Sequence, residues 1–232
     1  MNIEDYSKIA PQFYSNYTPP LLEKYLKNEN YVNLLDCGCG DGSLLYSLNI
    51  SNYLDGKNIF AIDLSKNRIE IVKSINDKII ATVDSAEELK TIPDDSIDFF
   101  ISTQVIEHVD EIKMISQIEK KVKSGGIIYI STVFKKWYGW YFYKNGNKWV
   151  LDPTHLREYS SDEQLLSLFN SSHFKLLEQN KQLQWFPISD FIVKRIKLAD
   201  RRIYENMIMK IIRKIRIPIL GYYNWEIVLK KI

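Results

Sequence analysis

The sequence predicts a doubly wound α/β fold, a mainly parallel sheet covered by helices on both faces. Three observations predict it. Apolar strand-like runs alternate with helix-like periodicity from about residue 32 to residue 132. The first run leads into Asp36-Cys37-Gly38-Cys39-Gly40-Asp41-Gly42, a turn with three alternating glycines. The second ends on a carboxylate, Asp63. Regular strand–helix alternation demands crossover connections, and crossovers give parallel strands buried on both faces.

Taken in order, Tyr6 to Tyr17 and Leu21 to Leu26 read as helices, separated by Thr18-Pro19-Pro20. Strands follow at 32–36, 58–62, 79–83, 97–102 and 126–132, each rich in Ile, Val or Phe. Between them, helices at 43–49, 66–75 and 110–122 repeat apolar residues at three and four. Lys123-Ser124-Gly125-Gly126 supplies a left-handed cap that stops the third helix and opens the next strand. Beyond Thr132 an aromatic stretch, 134–150, runs into Asp152-Pro153-Thr154-His155-Leu156-Arg157-Glu158-Tyr159. Ser160-Ser161-Asp162-Glu163 then caps a helix through Phe169, a strand lies near 174–182, and a basic helical pattern occupies 190–216. The last strand is Trp225-Glu226-Ile227-Val228-Leu229.

At 232 residues the chain suits one such domain with modest additions. Composition is that of a soluble globular protein, 45% apolar and 26% charged, without repeats or low-complexity tracts. The start, Met1-Asn2-Ile3-Glu4-Asp5, has neither a basic cluster nor an apolar run, so a cytoplasmic location is expected. Cys37 and Cys39 are the only cysteines; one residue apart inside the glycine turn, they are poor candidates for a disulfide or a zinc site and read as small fillers. Net charge is +2, yet residues 190–220 carry nine Lys/Arg against three Asp/Glu. One segment therefore holds the whole positive excess.

The turn reads D-x-G-x-G-x-G, not the G-x-G-x-x-G of nicotinamide and flavin proteins. It resembles motif I of the class I S-adenosylmethionine (SAM) methyltransferases, in their small-molecule and saccharide-modifying branch. Four further stretches carry the same resemblance in order: Asp63 with Leu64, Val83-Asp84-Ser85, Phe99-Phe100-Ile101-Ser102-Thr103-Gln104, and Gly125-Gly126-Ile127-Ile128-Tyr129-Ile130. The resemblance implies a Rossmann-like seven-stranded sheet in the order 3-2-1-4-5-7-6 with the last strand antiparallel. It implies SAM as cofactor, with Asp36, Gly38 and Gly40 near the methionine moiety and Asp63 and Leu64 at the ribose. Asp84 and Ser85 would meet the adenine, and Thr103 and Gln104 would lie beneath the methionine end. Tyr6 and Tyr14, in a Y-x₇-Y pattern, either cover the cofactor or pack an ordinary amphipathic helix.

Methyl transfer to a hydroxyl needs a base, and histidine is the simplest one near neutral pH. Of three histidines, His173 sits in a helix-to-strand turn and reads as structural. His108 follows Gln104-Val105-Ile106-Glu107, beside the implied methyl position, and is either a base or a helix-opening surface residue. His155 belongs to a segment too polar for simple core; it closes or primes the acceptor site and is the other candidate for the base. Small-RNA 2′-O-methyltransferases and some quinone-biosynthesis O-methyltransferases carry E-x-x-E-H here and bind a divalent cation. This chain has Gln104 in place of the first acid, and although 104, 107 and 108 would share a helix face, the neutral amide argues against a metal.

The expected acceptor is thus a small molecule or a saccharide-containing, lipid-linked one, covered by additions near 133–157 and 183–221. RNA ribose methylation and non-catalytic SAM binding are the alternatives. The aromatic run 134–143 reads as a flap, a sugar-stacking wall or a membrane-facing loop. An apolar stripe through Ile192, Ile196, Ile203, Met207 and Ile211 makes 190–216 first a docked helix. Attachment to the inner face of an anionic membrane comes second and nucleic-acid backbone binding third, for no RNA-binding motif accompanies the charge.

Overall fold

The computed structural model describes residues 16–141, 143–169, 173–189 and 207–232. Helix α1 (Pro20–Asn28) starts with a proline in its first turn, where a missing N–H costs nothing, and buries Leu21, Leu22 and Leu26. Then come β1 (Asn33–Cys37), α2 (Ser43–Ile50), β2 (Asn58–Asp63), α3 (Lys66–Lys73), β3 (Ile79–Val83) and β4 (Ile97–Thr103). Helix α4 (Glu111–Lys121) leads into β5 (Val122–Lys135); a small hairpin, β6 (Tyr143–Asn145) and β7 (Lys148–Val150), follows. The chain closes with α5 (Asp162–Leu166), β8 (Phe174–Pro187), α6 (Met207–Ile212) and β9 (Arg216–Lys231).

The main sheet has seven strands in the order β3-β2-β1-β4-β5-β9-β8. With the hairpin set aside this is 3-2-1-4-5-7-6. Strands β1 to β5 pair in parallel, while β9 runs antiparallel to both β5 and β8. Alternation splits the core between the faces: Leu35, Phe100, Ile128 and Trp225 point to one, Leu34, Phe99, Ile127 and Val228 to the other. A third cluster, Val133, Tyr141, Leu151, Ile219 and Tyr222, fills the space beneath the hairpin.

Three expectations change. The helix predicted to 122 stops at Lys121, and Gly125 (φ +82°) lies inside β5, next to a register shift between Ile97 and Phe99, instead of capping the helix. The segment 104–108 is not helical: Gln104 takes φ +56°, and Ile106–His108 is a single 3₁₀ turn before Asp110 caps α4. The helical pattern at 190–216 covers only α6 among the described residues, and 183–187 and 216–221 are paired strand. Residues 190–206 and Tyr6 and Tyr14 lie outside the described residues. Among the described residues no helix is long and apolar enough to cross a membrane.

Candidate active site

The strand ends bring the site together. At the carboxyl end of β1, Gly38, Gly40 and Gly42 all have positive φ, a conformation only glycine takes without strain. The N–H groups of Gly38 and Cys39 both donate to the Ile62 carbonyl at 2.9 Å, tying the turn to β2. A Cβ on Gly38 would lie 2.3 Å from Val105 Cγ2, so the turn sits directly against the segment after β4.

Asp63, at the end of β2, braces the same turn: Oδ2 accepts from Gly40 N–H at 3.0 Å and Oδ1 from Ser65 N–H at 2.9 Å. Arg68 of α3 lies 3.7 Å from Asp63 Oδ2 and 3.4 Å from Asp41 Oδ1. Each carboxylate oxygen has two lone pairs, so acceptor capacity is left for hydroxyls. Asp36 is in the opposite condition. It is fully buried, neither oxygen has a hydrogen-bond partner among the described residues, and burial, helped by Asp63, pushes its pKa up to about 7. An orphaned buried carboxylate behind a glycine cradle fits the ammonium and sulfonium charge of SAM. Leu64, half-exposed, borders Asp63.

Asp84 turns toward its own loop. Its oxygens accept from Ser85 N–H, Thr91 N–H and Thr91 Oγ1, each at 2.7 Å. Burial works to raise its pKa, but these hydrogen bonds outweigh it and hold the carboxyl below its usual range. Ser85 Oγ accepts from Glu87 N–H, so both residues expected at the adenine also fix the loop that would receive it. Thr103 ends β4 half-buried, and Gln104 donates from Nε2 to Asn224 Oδ1 of β9 at 3.0 Å. The left-handed turn at Gln104 therefore takes its amide away from Glu107 and His108.

Past that turn, Glu107, His108 and His155 converge, with one ligand atom of each within 4.8 Å of the others. The imidazoles of His108 and His155 meet edge to face at 4.7 Å between centroids. Glu107 is completely buried; Oε2 accepts from Thr132 Oγ1 at 3.0 Å, Oε1 has no hydrogen-bond partner, and burial pushes the acid up to about 7. Burial, and after it the neighbouring His155, lowers His108 below the ordinary imidazole range. His155 is buried and its Nδ1 lies 2.9 Å from Glu158 Oε1. One carboxylate and two imidazoles form a donor set that suits a borderline divalent cation better than a hard one. His173 stands apart, paired with Glu119 at the surface end of α4.

Polarity alone singled out 152–159; its contacts explain that polarity. Glu107 C=O accepts from Leu156 N–H at 2.9 Å, Arg157 Nη1 donates to the Ile106 and Val109 carbonyls, and Tyr159 Oη donates to Glu111. The segment is thus stitched over the 3₁₀ turn that carries His108. Arg68, Thr132 and Asn224 join the site without a local signature, because only tertiary structure brings them there.

Comparison with known proteins fits this arrangement. A family model described as a methyltransferase domain matches residues 6–184. A mitochondrial ubiquinone biosynthesis O-methyltransferase from Dictyostelium discoideum is 33% identical over 132 residues, which cover 49% of this chain and 40% of the relative. A ubiquinone biosynthesis O-methyltransferase from Pelagibacter ubique is 31% identical over 134 residues, 56% of this chain and 52% of the relative. The chain thus spans about half the length of the curated relatives it matches. The solved YcgJ protein from Bacillus subtilis superposes with a TM-score of 0.59 at 15% identity, over 90% of this chain and 96% of that one, which supports the fold.

Proposed function

We propose, the chain being a member of the class I SAM-dependent methyltransferases, that it methylates a hydroxyl oxygen of a small or saccharide-containing acceptor held at a membrane surface. The observation that carries oxygen as the nucleophile is the pair of imidazoles, His108 and His155, just past the end of β4. SAM supplies an electrophilic methyl on a sulfonium, so the protein's tasks are alignment and proton removal. Asp36 would meet the cationic methionine end, Gly38 and Gly40 would let it lie against the backbone, and Asp63 would accept from the ribose. Leu64, Asp84 and Ser85 would border the adenosine, and Thr103 and Gln104 would form the floor between cofactor and acceptor. His108, held neutral by burial, accepts the hydroxyl proton as the acceptor attacks. His155 packs against it and shapes the acceptor site. The names of the two relatives above support an oxygen acceptor.

Attachment to membrane draws on a patch at the β8–β9 end. Trp137 (93% exposed), Tyr138, Trp140, Trp185, Ile211 and Leu220 are open to solvent there, with Lys136, Lys214 and Arg216 among them. The loop and the strands form one surface, because Gly139 packs on Gly221 and Trp185 pairs with Pro218. Aromatic and aliphatic groups with a basic rim suit the headgroup region of an anionic bilayer.

A second reading is favoured by Glu107 Oε1, buried without a hydrogen-bond partner among the described residues, in a carboxylate whose cluster with the two imidazoles falls within 4.8 Å. Glu107, His108 and His155 would hold a divalent cation, which would polarise the acceptor oxygen. The test is methyl transfer from labelled SAM to hydroxyl acceptors, free and in anionic liposomes, with and without chelator. Under the base reading, His108→Ala lowers turnover about 10²–10⁴-fold with SAM affinity retained. Full turnover in both His108→Ala and His155→Ala overturns it, and activity lost to chelator and restored by added metal selects the cation.

A further inference from the structure

The geometry points to Asp152 and Thr154 as positioning residues that fix the tautomer of His108, with Glu158 doing the same for His155. This deepens the reading of His108 as the base. Asp152 Oδ1 accepts twice from Thr154, from its N–H at 2.8 Å and from its Oγ1 at 2.6 Å. A threonine hydroxyl has one proton, and here it is given to the carboxylate. The same Oγ1 lies 3.1 Å from His108 Nδ1 and can offer that nitrogen only a lone pair. The Thr154 carbonyl, 3.3 Å from Nδ1, is likewise an acceptor. Since both neighbours accept, Nδ1 must donate, and Nε2 is left as the one basic nitrogen of the ring.

On the other side of the ring pair, Glu158 Oε1 accepts from Leu151 N–H at 2.6 Å and lies 2.9 Å from His155 Nδ1. Lys135 Nζ lies 3.5 Å from Glu158 Oε2. Oε1 is already the acceptor of a backbone N–H, so toward the ring it accepts as well and His155 Nδ1 also carries a proton. The stretch from Asp152 to Glu158 therefore contains one partner for each imidazole and sets both in the same sense. A base held in the wrong tautomer presents a proton where a lone pair is needed, and orientation by an acceptor behind the ring prevents this.

The test uses the full chain labelled with ¹⁵N-histidine and long-range ¹H–¹⁵N spectra at pH 8. The expected pattern has His108 as the Nδ1–H form. Thr154→Val removes the nearer acceptor and leaves only the carbonyl at 3.3 Å, so part of the His108 population moves to the Nε2–H form and kcat falls, up to about 10–100-fold, at unchanged KM for SAM. Thr154→Ser, which keeps the hydroxyl, restores both. Because Thr154 is exposed, neither variant threatens the core. An Nε2–H form of His108 in the unaltered protein, or a Thr154→Val variant with tautomer and kcat unmoved, overturns the inference. Should the spectra behave as stated while His108→Ala keeps full turnover, the assignment of His108 as base fails and the positioning stands.

Discussion

Asp36 and Asp63 are neighbours at the strand ends with contrasting surroundings. Asp63 already accepts two backbone N–H groups of the turn, so Asp63→Ala removes the brace of the cradle together with the ribose contacts proposed above. Charge-assisted hydrogen bonds of this kind contribute about 1.5–3 kcal/mol. Calorimetry should therefore show SAM binding weakened by at least tenfold, and an unchanged affinity would remove Asp63 from the ribose site. Asp36, poised near 7 and without a partner, holds a proton in a large share of free molecules at neutral pH. A cationic ligand favours the ionised form, so SAM binding should release a proton between about pH 5 and pH 7.5. Titrations in buffers of different ionisation heat measure this directly, and Asp36→Asn should abolish the release.

Among elements, the loop Cys37–Gly42 and the segment after β4 are mutually fitted, since Val105 fills the space a side chain on Gly38 would need. Gly38→Ala should destabilise the protein by about 2–4 kcal/mol, combining a left-handed backbone with overpacking. Val105→Ala in the same chain should recover only the packing part, which a double-mutant cycle in urea separates. This turn was legible in the sequence because glycine has few other reasons to recur at alternate positions, and so were the five parallel strands. The turn at Gln104 was not legible. A non-glycine residue at φ +56° leaves no compositional trace, and without it residues 104–108 have helical spacing. The outer ends of β8 and β9 were missed for a related reason. Exposed apolar residues on a hairpin do not alternate cleanly with polar ones, so the period of two is lost.

For the whole molecule, the dominant electrostatic fact is two buried carboxyls near 7, Asp36 and Glu107, where unfolded carboxyls titrate near 4. The folded state binds more protons than the unfolded state throughout that window, so stability rises as pH falls from 8 toward 5. His108, lowered by burial, opposes this below about 6.5, and the depressed Asp84, Asp98 and Asp152 withdraw their support only below about 4. Cofactor-free protein should therefore melt a few degrees higher at pH 6 than at pH 8. An Asp36→Asn, Glu107→Gln double variant should flatten the difference, and a melting temperature that falls from pH 8 to pH 6 in the unaltered protein would contradict it.

The position of β9 has a consequence in time. Among the described residues it follows every other strand yet lies inside the sheet, between β5 and β8, and there β8 has no other strand neighbour. Strands β1 to β5 can assemble from segments close in sequence, whereas Ser131 must wait for Glu226. Closing so long a loop is slow relative to local pairing. During synthesis a five-stranded intermediate with an open β5 edge should thus precede the finished sheet, and its Gln104 lacks the Asn224 that holds it. Damage within 216–231 therefore removes two strands and the contact that holds Gln104 at once.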